Sequence, residues 1–445
     1  MMPSYTYPVV LTIGGSDSSG GAGIQADLKT FATLGVHGTS AITAVTAQNT
    51  TGVKNVFGLS PEAVSWQLEA LAEDFEIKCA KTGMLYSAKT TSVVADWVRD
   101  WDISLVLDPV MEAEAGGRLL DPDAVEVLRK RLMPLASVVT PNIFEAEVLA
   151  GIKVNDEKTA KAAAERILEL GAEAAIITGG HLKGADLLAK AGDVHIISGA
   201  IEKGGNHGVG CTYSAAITAY LAKGSALFDA AHDAKKFATT SILKSRNLGR
   251  GPSPVNQLGE VLEEANRYQT YVQMSEALEM LVSDPLFRHL IPEVGSNVGM
   301  AIDGATKLED IAAVEGRLVK SGKRVHASGC VRFGASGHVA RIILAAMSFD
   351  SKTRAAMNVK LSQDLLDVCS RMGLRIASFD RACEPSGSHT MSWGTCQAIS
   401  DCGKVPDIIW DKGGPGKEPM VRILGSDAKK VADLALEMAR QLHQI

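Results

Sequence analysis

The chain has 445 residues, too many for one ordinary core, so two or three domains are expected. Its 46% hydrophobic and 22% charged residues describe a well-buried globular protein, and a net charge of -6 with no basic cluster longer than Arg129 to Arg131 argues against a nucleic-acid surface. No apolar run reaches the roughly 18 residues of a membrane span, and MMPSYTYPVVLTIGGSD lacks the basic start and cleavage region of a signal peptide, so a cytoplasmic chain acting on small molecules is expected, with no nucleic-acid or membrane partner.

The first strand runs into LTIGGSDSSGGAGIQADLKTFATLG, Leu11 to Gly35, which raises the question of what a loop so rich in glycine holds. A P-loop requires a lysine to reach the terminal phosphates; Gly15 and Gly20 have its interval, but Gly21 stands at the lysine position. Gly21, Gly23 and Ala26 satisfy the dinucleotide pattern formally, yet the acid expected about 20 residues on is missing from SAITAVTAQNTTG. The loop therefore matches neither nucleotide pattern, and a plain strand-to-helix turn is the alternative.

From Val9 to about Ile242, short β-rich runs alternate with helical periodicity. VVLTI, AITAV, SLVLD, SVVT and AAIIT are nearly continuous apolar runs and read as buried parallel strands. PEAVSWQLEALAEDF and NDEKTAKAAAERILELG read as helices, the second with Asn155 as its cap and Gly171 as its stop. Such alternation predicts an open, layered α/β sheet with its ligand beyond the carboxyl ends of the strands.

Several short motifs fall at those ends. AQNTTGV holds Gln48, whose amide can pair with a ring amine and a ring nitrogen together. KTGML carries Lys81 and Met84; LDPVM carries Asp108 and Val110. In VVTPNIFEAEVL, Asn142 and Glu145 are spaced to orient hydrated magnesium, although an Asn cap with an acid at the third position is also an ordinary helix start. In KGGNHGVGCTYSAAITAYLAKG, a glycine-rich turn opens a helix and aims free amides at one point, with Gly208 and Gly210 leaving room for an anion. None of the seven cysteines has C-x-x-C or zinc spacing, so reduced thiols are expected. Cys211, at that helix start, should have a lowered thiol pKa and could act as base toward an alcohol.

RNLGRGPSPVNQLGE, Arg246 to Glu260, breaks the pattern and precedes a long polar helical stretch. The expected division is 1–258, a linker at 259–271, and a second unit at 272–445. That second unit mixes helices such as AKKVADLALEMARQLHQ with short strands such as RIASFD, DIIWD and MVRILG.

Together, GSDSSGGAGIQADLKTF, TAVTAQNTTGV, KTGML, LDPVM, TPNIFEAE and HGVGCTYSAA resemble the hydroxymethylpyrimidine and hydroxymethylpyrimidine-phosphate kinases of thiamine biosynthesis, over roughly residues 7 to 257. The resemblance implies a ribokinase-like layered α/β/α sheet followed by a smaller separate α/β domain. It implies that the first glycine loop holds the pyrimidine alcohol, with Gly15, Asp27, Gln48, Met84 and Val110 lining the site. ATP phosphates then meet Gly208 and Gly210, Cys211 is the base, and Lys81, Asn142, Glu145 and Asp108 belong to the phosphate and Mg2+ network. Where many relatives have K-G-G-H this chain has TGGH with Thr178, so Lys81 or K+ is expected to compensate. Glu112 and Glu114 stand where smaller or neutral residues are expected.

Residues from about 272 onward resemble the thiamine-phosphate synthase domain found fused to this kinase, chiefly in archaea, on VGSNVGMAIDGATKLEDIAAVEGRLV, GCVRFGASGHVARIILAAM, FDRACEPSGSHTMSWGT and IIWDKGGPGKEPMVRILG. The reaction implied joins the pyrimidine diphosphate to thiazole phosphate with loss of pyrophosphate. Arg332 and His338 flank Gly334, Ser336 and Gly337 and suit a phosphate; Asp380 and Glu384 could hold magnesium; Lys412, with Gly413, could complete the clamp. A thiamine-phosphate-sensing domain is the alternative for this unit, and a pyridoxal kinase for the first. A homo-oligomer is expected.

Overall fold

A strand that is apolar on both faces must be covered on both, and the first half of the chain meets that demand. The computed structural model describes residues 7–101, 103–112, 117–179, 184–199, 202, 204–414 and 416–444. The chain divides into two compact units between Val261 and Leu262. Strands of the first unit are β1 (Val9–Asp17), β2 (His37–Asn49), β3 (Gly52–Gly58), β4 (Ile77–Thr82), β5 (Ser104–Leu107), β6 (Ala136–Val139), β7 (Ala174–Ile177), β8 (Asp186–Lys190) and β9 (Asp193–Ile197). Its helices are α1 (Gly23–Thr33), α2 (Pro61–Ala72), α3 (Ala88–Trp101), α4 (Pro122–Val127), α5 (Ile143–Ala150), α6 (Glu157–Glu169), α7 (Val209–Ala222) and α8 (Leu227–Leu243).

One sheet runs β3-β2-β1-β4-β5-β6-β7-β8-β9. β1, β2 and β4 to β7 are parallel; β3, β8 and β9 extend the two edges antiparallel. Alternate residues serve opposite layers. Leu11, Leu105 and Val139 pack with Leu68 of α2, Val94 of α3 and Ile167 of α6. Val106, Val138 and Ile176 pack with Ile217 of α7 and Phe237 of α8, while Val10 meets Phe31 of α1. Helices thus cover both faces, and the parallel strands deliver Asp17, Lys81 and Asp108 to one edge.

Two expectations need correction. Asp156, not Asn155, caps α6: its carboxylate accepts the Thr159 amide at 2.8 Å, while the Thr159 hydroxyl receives the Asn155 amide at 2.9 Å. Residues 259–271 are not a linker but the first half of α9 (Gly259–Ser283), in which Arg267 pairs with Asp310 at 3.0 Å and lies over the Phe333 ring.

The second unit contains β10 (Val298–Ala301), β11 (Ile311–Val314), β12 (Leu318–Ser321), β13 (Arg324–Ala327), β14 (Val331–Phe333), β15 (Ala355–Lys360), β16 (Ile376–Ser378), β17 (Ile408–Asp411) and β18 (Met420–Gly425). With α10 (Gly337–Met347), α11 (Gln363–Arg371), α12 (Thr390–Cys402) and α13 (Ala428–His443), it forms a separate α/β layer structure. Its main sheet runs β14-β11-β10-β15-β18-β17-β16, antiparallel except between β16 and β17. Val431 and Leu436 of α13 pack on one face and Ile342 of α10 with Ile399 of α12 on the other. Among the described residues, no helix is long and apolar enough to cross a membrane.

Candidate active sites

One carboxylate shapes the first glycine loop. Asp17, 3% exposed at the end of β1, accepts the amides of Ser19 at 2.8 Å, Gly21 at 3.2 Å and Ala22 at 2.8 Å, and the Ser19 hydroxyl at 2.8 Å. It also meets the His207 ring, Nε2 to Oδ2, at 3.1 Å. Burial alone would raise this carboxyl, but the His207 and Ser19 bonds outweigh it and bring it down to about 2.

The glycines serve packing first. At Gly23, φ +58, an added Cβ would lie 2.4 Å from the Gly15 carbonyl oxygen; at Gly208, φ +83, it would lie 1.9 Å from that of Gly21. The two glycine loops therefore interlock backbone against backbone, and the immediate role of Gly208, expected on the phosphate, is this contact. Gly210 faces open space. In the first turn of α7 the Val209 amide finds the Asn206 carbonyl at 3.1 Å, whereas those of Gly210 and Cys211 have no helical carbonyl to bind.

Beneath the loops, the strand ends gather a buried charge cluster. Lys81 is fully buried, with Nζ 3.0 Å from both oxygens of Asp27 and 3.7 Å from Asp108. Thr12 donates to Asp27 at 2.6 Å and Ser214 of α7 to Asp108 at 2.9 Å. Burial alone would depress the Lys81 ammonium, but Asp27, Cys211 and Asp108 hold it well above the usual lysine range. Lys81 is thus paired within the protein rather than standing as a free cation, and each Asp27 oxygen already accepts a bond from Lys81 or Thr12.

Cys211 also departs from expectation. Burial pushes its thiol up to about 12; Lys81 and the Gly23 amide oppose this, while Asp27 and Asp108 reinforce it. A helix start alone would lower the value, so burial beside two carboxylates wins over the helix dipole.

Asn142 and Glu145 form a reciprocal cap on α5, each amide bound by the other's side chain at 2.9 Å. The ordinary helix-start role therefore holds for Asn142. Glu145 does more: it is 4% exposed, its second oxygen accepts the Met111 amide at 3.3 Å, and burial with the Asp108 carboxylate pushes it up to about 8. Burial likewise raises Asp108, against Lys81 and Ser214. Two such carboxylates suit a hydrated magnesium ion that keeps most of its waters. Among the described residues no three His, Cys, Asp or Glu side chains gather to hold a metal by themselves.

The remaining wall is largely apolar. A Cβ at Gly15 would lie 2.8 Å from the Met84 sulfur, and the Val110 amide bonds the Asp108 carbonyl at 2.9 Å. Gln48 exchanges backbone bonds with the Ser18 hydroxyl at 2.7 and 2.9 Å, and its side-chain nitrogen lies 3.5 Å from His207 Nε2. A carboxylate can only accept, so the Nε2 proton belongs to Asp17, and the Gln48 amide hydrogens find no acceptor on that nitrogen. The Thr178 amide bonds the Pro141 carbonyl at 2.9 Å. The Glu112 backbone pairs antiparallel with that of Arg118 in an isolated β-bridge, and Glu114 lies outside the described residues.

In the second unit His338 stands in the first turn of α10, which Ser336 caps through a long 3.5 Å bond from the Val339 amide. Although His338 is exposed at the surface, desolvation and the charges of Arg422, Arg317 and Arg381 push its imidazole down to about 4, against Asp411. Asp411, fully buried, gathers Arg381, Arg422 at 2.6 Å and the Gly413 amide at 2.7 Å. Arg422 is itself fully buried over the Phe379 ring, and its Nε and Nη1 have no hydrogen-bond partner among the described residues.

The other residues expected at this site have local partners or positions of their own. Arg332 is 63% exposed and pairs with Glu315 at 2.7 Å on the sheet-edge strand β14, outside the set acting on His338. The Gly413 amide serves Asp411, not a phosphate. Asp380 caps a short turn through the Ala382 amide at 2.9 Å, and Glu384 accepts the Thr390 hydroxyl at 2.7 Å. Lys412 is exposed on the following loop. The residues missed are Asp17, Thr12, His207 and Ser214 in the first unit and Arg317, Arg381, Asp411 and Arg422 in the second. The arginine inside the apolar run MVRILG was the available signal, because a buried charge in a strand needs a partner.

Comparison with known proteins fits this division. Residues 17–256 match the phosphomethylpyrimidine kinase family, and residues 273–437 match thiamine-phosphate synthase ThiN. The bifunctional thiamine biosynthesis protein ThiDN of Methanocaldococcus jannaschii is 34% identical over 428 residues, 95% of this chain and 96% of that protein. The thiamine biosynthesis bifunctional protein ThiED of Geobacter sulfurreducens is 46% identical over 254 residues, 56% of this chain but 52% of its own length, so this chain spans about half of that relative. Among solved structures, an ADP complex of Bacillus subtilis pyridoxal kinase is 35% identical with a TM-score of 0.54, covering 58% of this chain and 100% of that one. The first unit is accordingly a ribokinase-like α/β/α domain, and the chain belongs to the family of bifunctional thiamine biosynthesis proteins that join a phosphomethylpyrimidine kinase to a ThiN thiamine-phosphate synthase.

Proposed function

We propose that the first unit phosphorylates hydroxymethylpyrimidine and then its monophosphate with ATP, and that the second couples the diphosphate to thiazole phosphate, releasing pyrophosphate. The observation that carries the kinase reading is the buried Asp27, Lys81 and Asp108 cluster with the half-buried Cys211 beside it, at the start of α7, where the Gly210 and Cys211 amides have no backbone partner among the described residues. In this reading the pyrimidine lies against Gly15, Met84 and Val110 with its polar edge toward Gln48, and its hydroxymethyl group points at Cys211. The γ-phosphoryl group accepts the Gly210 and Cys211 amides.

A thiol held near 12 does not ionise first. Cys211 instead fits a transfer whose transition state is loose, where the alcohol proton leaves late and Lys81 stabilises negative charge as it develops. Asp108 and Glu145 would hold Mg2+, which when bound neutralises phosphate charge; K+ is the cation proposed to stand in for the lysine missing at Thr178. In the second unit, Arg317, Arg381 and Arg422 offer net positive charge for the leaving diphosphate, the neutral His338 imidazole can offer an N–H, and Asp411 keeps Arg381 and Arg422 in place.

The test is to incubate the purified chain with hydroxymethylpyrimidine, ATP and Mg2+ and follow phosphorus by NMR. Monophosphate and then diphosphate are expected, and addition of thiazole phosphate should yield thiamine phosphate and pyrophosphate. No phosphorylation would overturn the kinase reading; diphosphate without thiamine phosphate would leave the second unit a sensor. Pyridoxal is the competing substrate to include, because the first unit is also 35% identical to pyridoxal kinases of solved structure.

A further inference from the structure

The Asp17 to His207 contact joins positions 190 residues apart, and no step of the proposed transfer uses it. Three sets of contacts converge on it. Asp17 holds the first loop through four bonds, so that loop cannot change shape without moving this carboxylate. The His207 ring packs on the same loop, since a Cβ at Gly21 would lie 2.3 Å from its Cδ2, and the next residue, Gly208, touches the Gly21 carbonyl. The His207 main chain is anchored in turn, its amide on the Ser253 carbonyl at 3.2 Å and its carbonyl on the Val255 amide at 3.1 Å. Both side chains are buried, 8% and 4% exposed, so the bond is largely shielded from solvent.

We propose that Asp17 and His207 are positioning residues that couple the two glycine loops, so that the pyrimidine alcohol and the nucleotide bind cooperatively. The proposal rests on the kinase reading above. A rearrangement of the first loop around its ligand must either carry the loop before α7 with it or break a buried, charge-assisted bond, and the second course is the costly one. Occupancy of one loop therefore selects the arrangement of the other, and the coupling must be reciprocal.

The experiment is calorimetric titration of the full chain with hydroxymethylpyrimidine and a non-hydrolysable ATP analogue with Mg2+, each alone and each in the presence of the other. In the wild type each ligand should tighten the other by the same factor, within the roughly 5- to 150-fold typical of coupled sites. Asp17→Asn and His207→Ala should each bring that factor close to one, and the double variant should go no lower. His207→Gln, which keeps an N–H for Asp17, should recover part of it. Asp17→Asn is nearly isosteric and keeps the test available if the alanine variant does not fold. A factor unchanged in the variants, whatever their melting temperatures, would overturn the proposal. So would a wild-type chain that turns over substrate yet binds its two ligands independently, and that result would leave the kinase reading intact.

Discussion

Replacing Gly208 by alanine tests the interlocked loops directly. The residue has φ +83, and a Cβ there would sit 1.9 Å from the Gly21 carbonyl oxygen. The left-handed backbone costs a non-glycine residue roughly 1–2 kcal/mol, and overpacking against backbone that cannot rotate away adds roughly 1–3 kcal/mol. A total of about 2–5 kcal/mol is a large share of the ~5–15 kcal/mol that holds a domain folded. At roughly 2–4 °C per kcal/mol for a unit of this size, its transition should fall by about 4–20 °C. Differential scanning calorimetry of the full chain would show the shift, with the second unit's transition unmoved. Gly210→Ala is the control, because its Cβ meets nothing within 4 Å and alanine favours a helix by roughly 0.5–1 kcal/mol. A Gly208→Ala chain that melts with the wild type, or a Gly210→Ala chain that falls as far, would refute the interlock.

Cys211→Ala should lower phosphorylation roughly tenfold or more, the effect of losing an acid–base group, while thiamine phosphate formation from supplied pyrimidine diphosphate continues. The native thiol, held near 12 by burial, should resist alkylation at pH 8 while the exposed Cys330 and Cys383 react; mass spectrometry of the labelled chain decides. Lys81→Met leaves Asp27 and Asp108 without their buried cation and should destabilise the first unit by about 3–5 kcal/mol in urea, an effect that adding Asp27→Asn should partly reverse. The Asp17 carboxyl lies at about 2 in the fold against an ordinary 3.8, so its contribution is present above pH 3.8 and is lost as pH falls toward 2. Asp17→Asn should therefore cost about 2 kcal/mol at neutral pH, with the gap to wild type closing in acid, as urea unfolding at pH 7 and pH 2 would show.

The layered sheet was legible because its strands are written as unbroken apolar runs, and the site was legible because KTGML, LDPVM and TPNIFEAE all fall at strand ends. What was not legible is pairing across the sheet. Lys81 looks like a free cation until the register sets β4 beside β1 and β5, and the Asp27 of α1 takes the ammonium at 3.0 Å. The same burial reverses the sign expected for the Cys211 thiol, since proximity to a helix start is visible in a sequence but desolvation is not. In the second unit Arg332 and Arg422 are both strand arginines; only the sheet order shows that the former lies on the edge strand and the latter in the interior.

The central claim is that the pyrimidine alcohol occupies the early glycine loop while the triphosphate meets the start of α7. Crystals grown with hydroxymethylpyrimidine, Mg2+ and a non-hydrolysable ATP analogue test it most directly. The account predicts the pyrimidine ring against Gly15 and Met84, its hydroxymethyl oxygen near Cys211, and the γ-phosphate on the Gly210 and Cys211 amides. A nucleotide lying in the early loop, with the α7 amides free of phosphate, would contradict it.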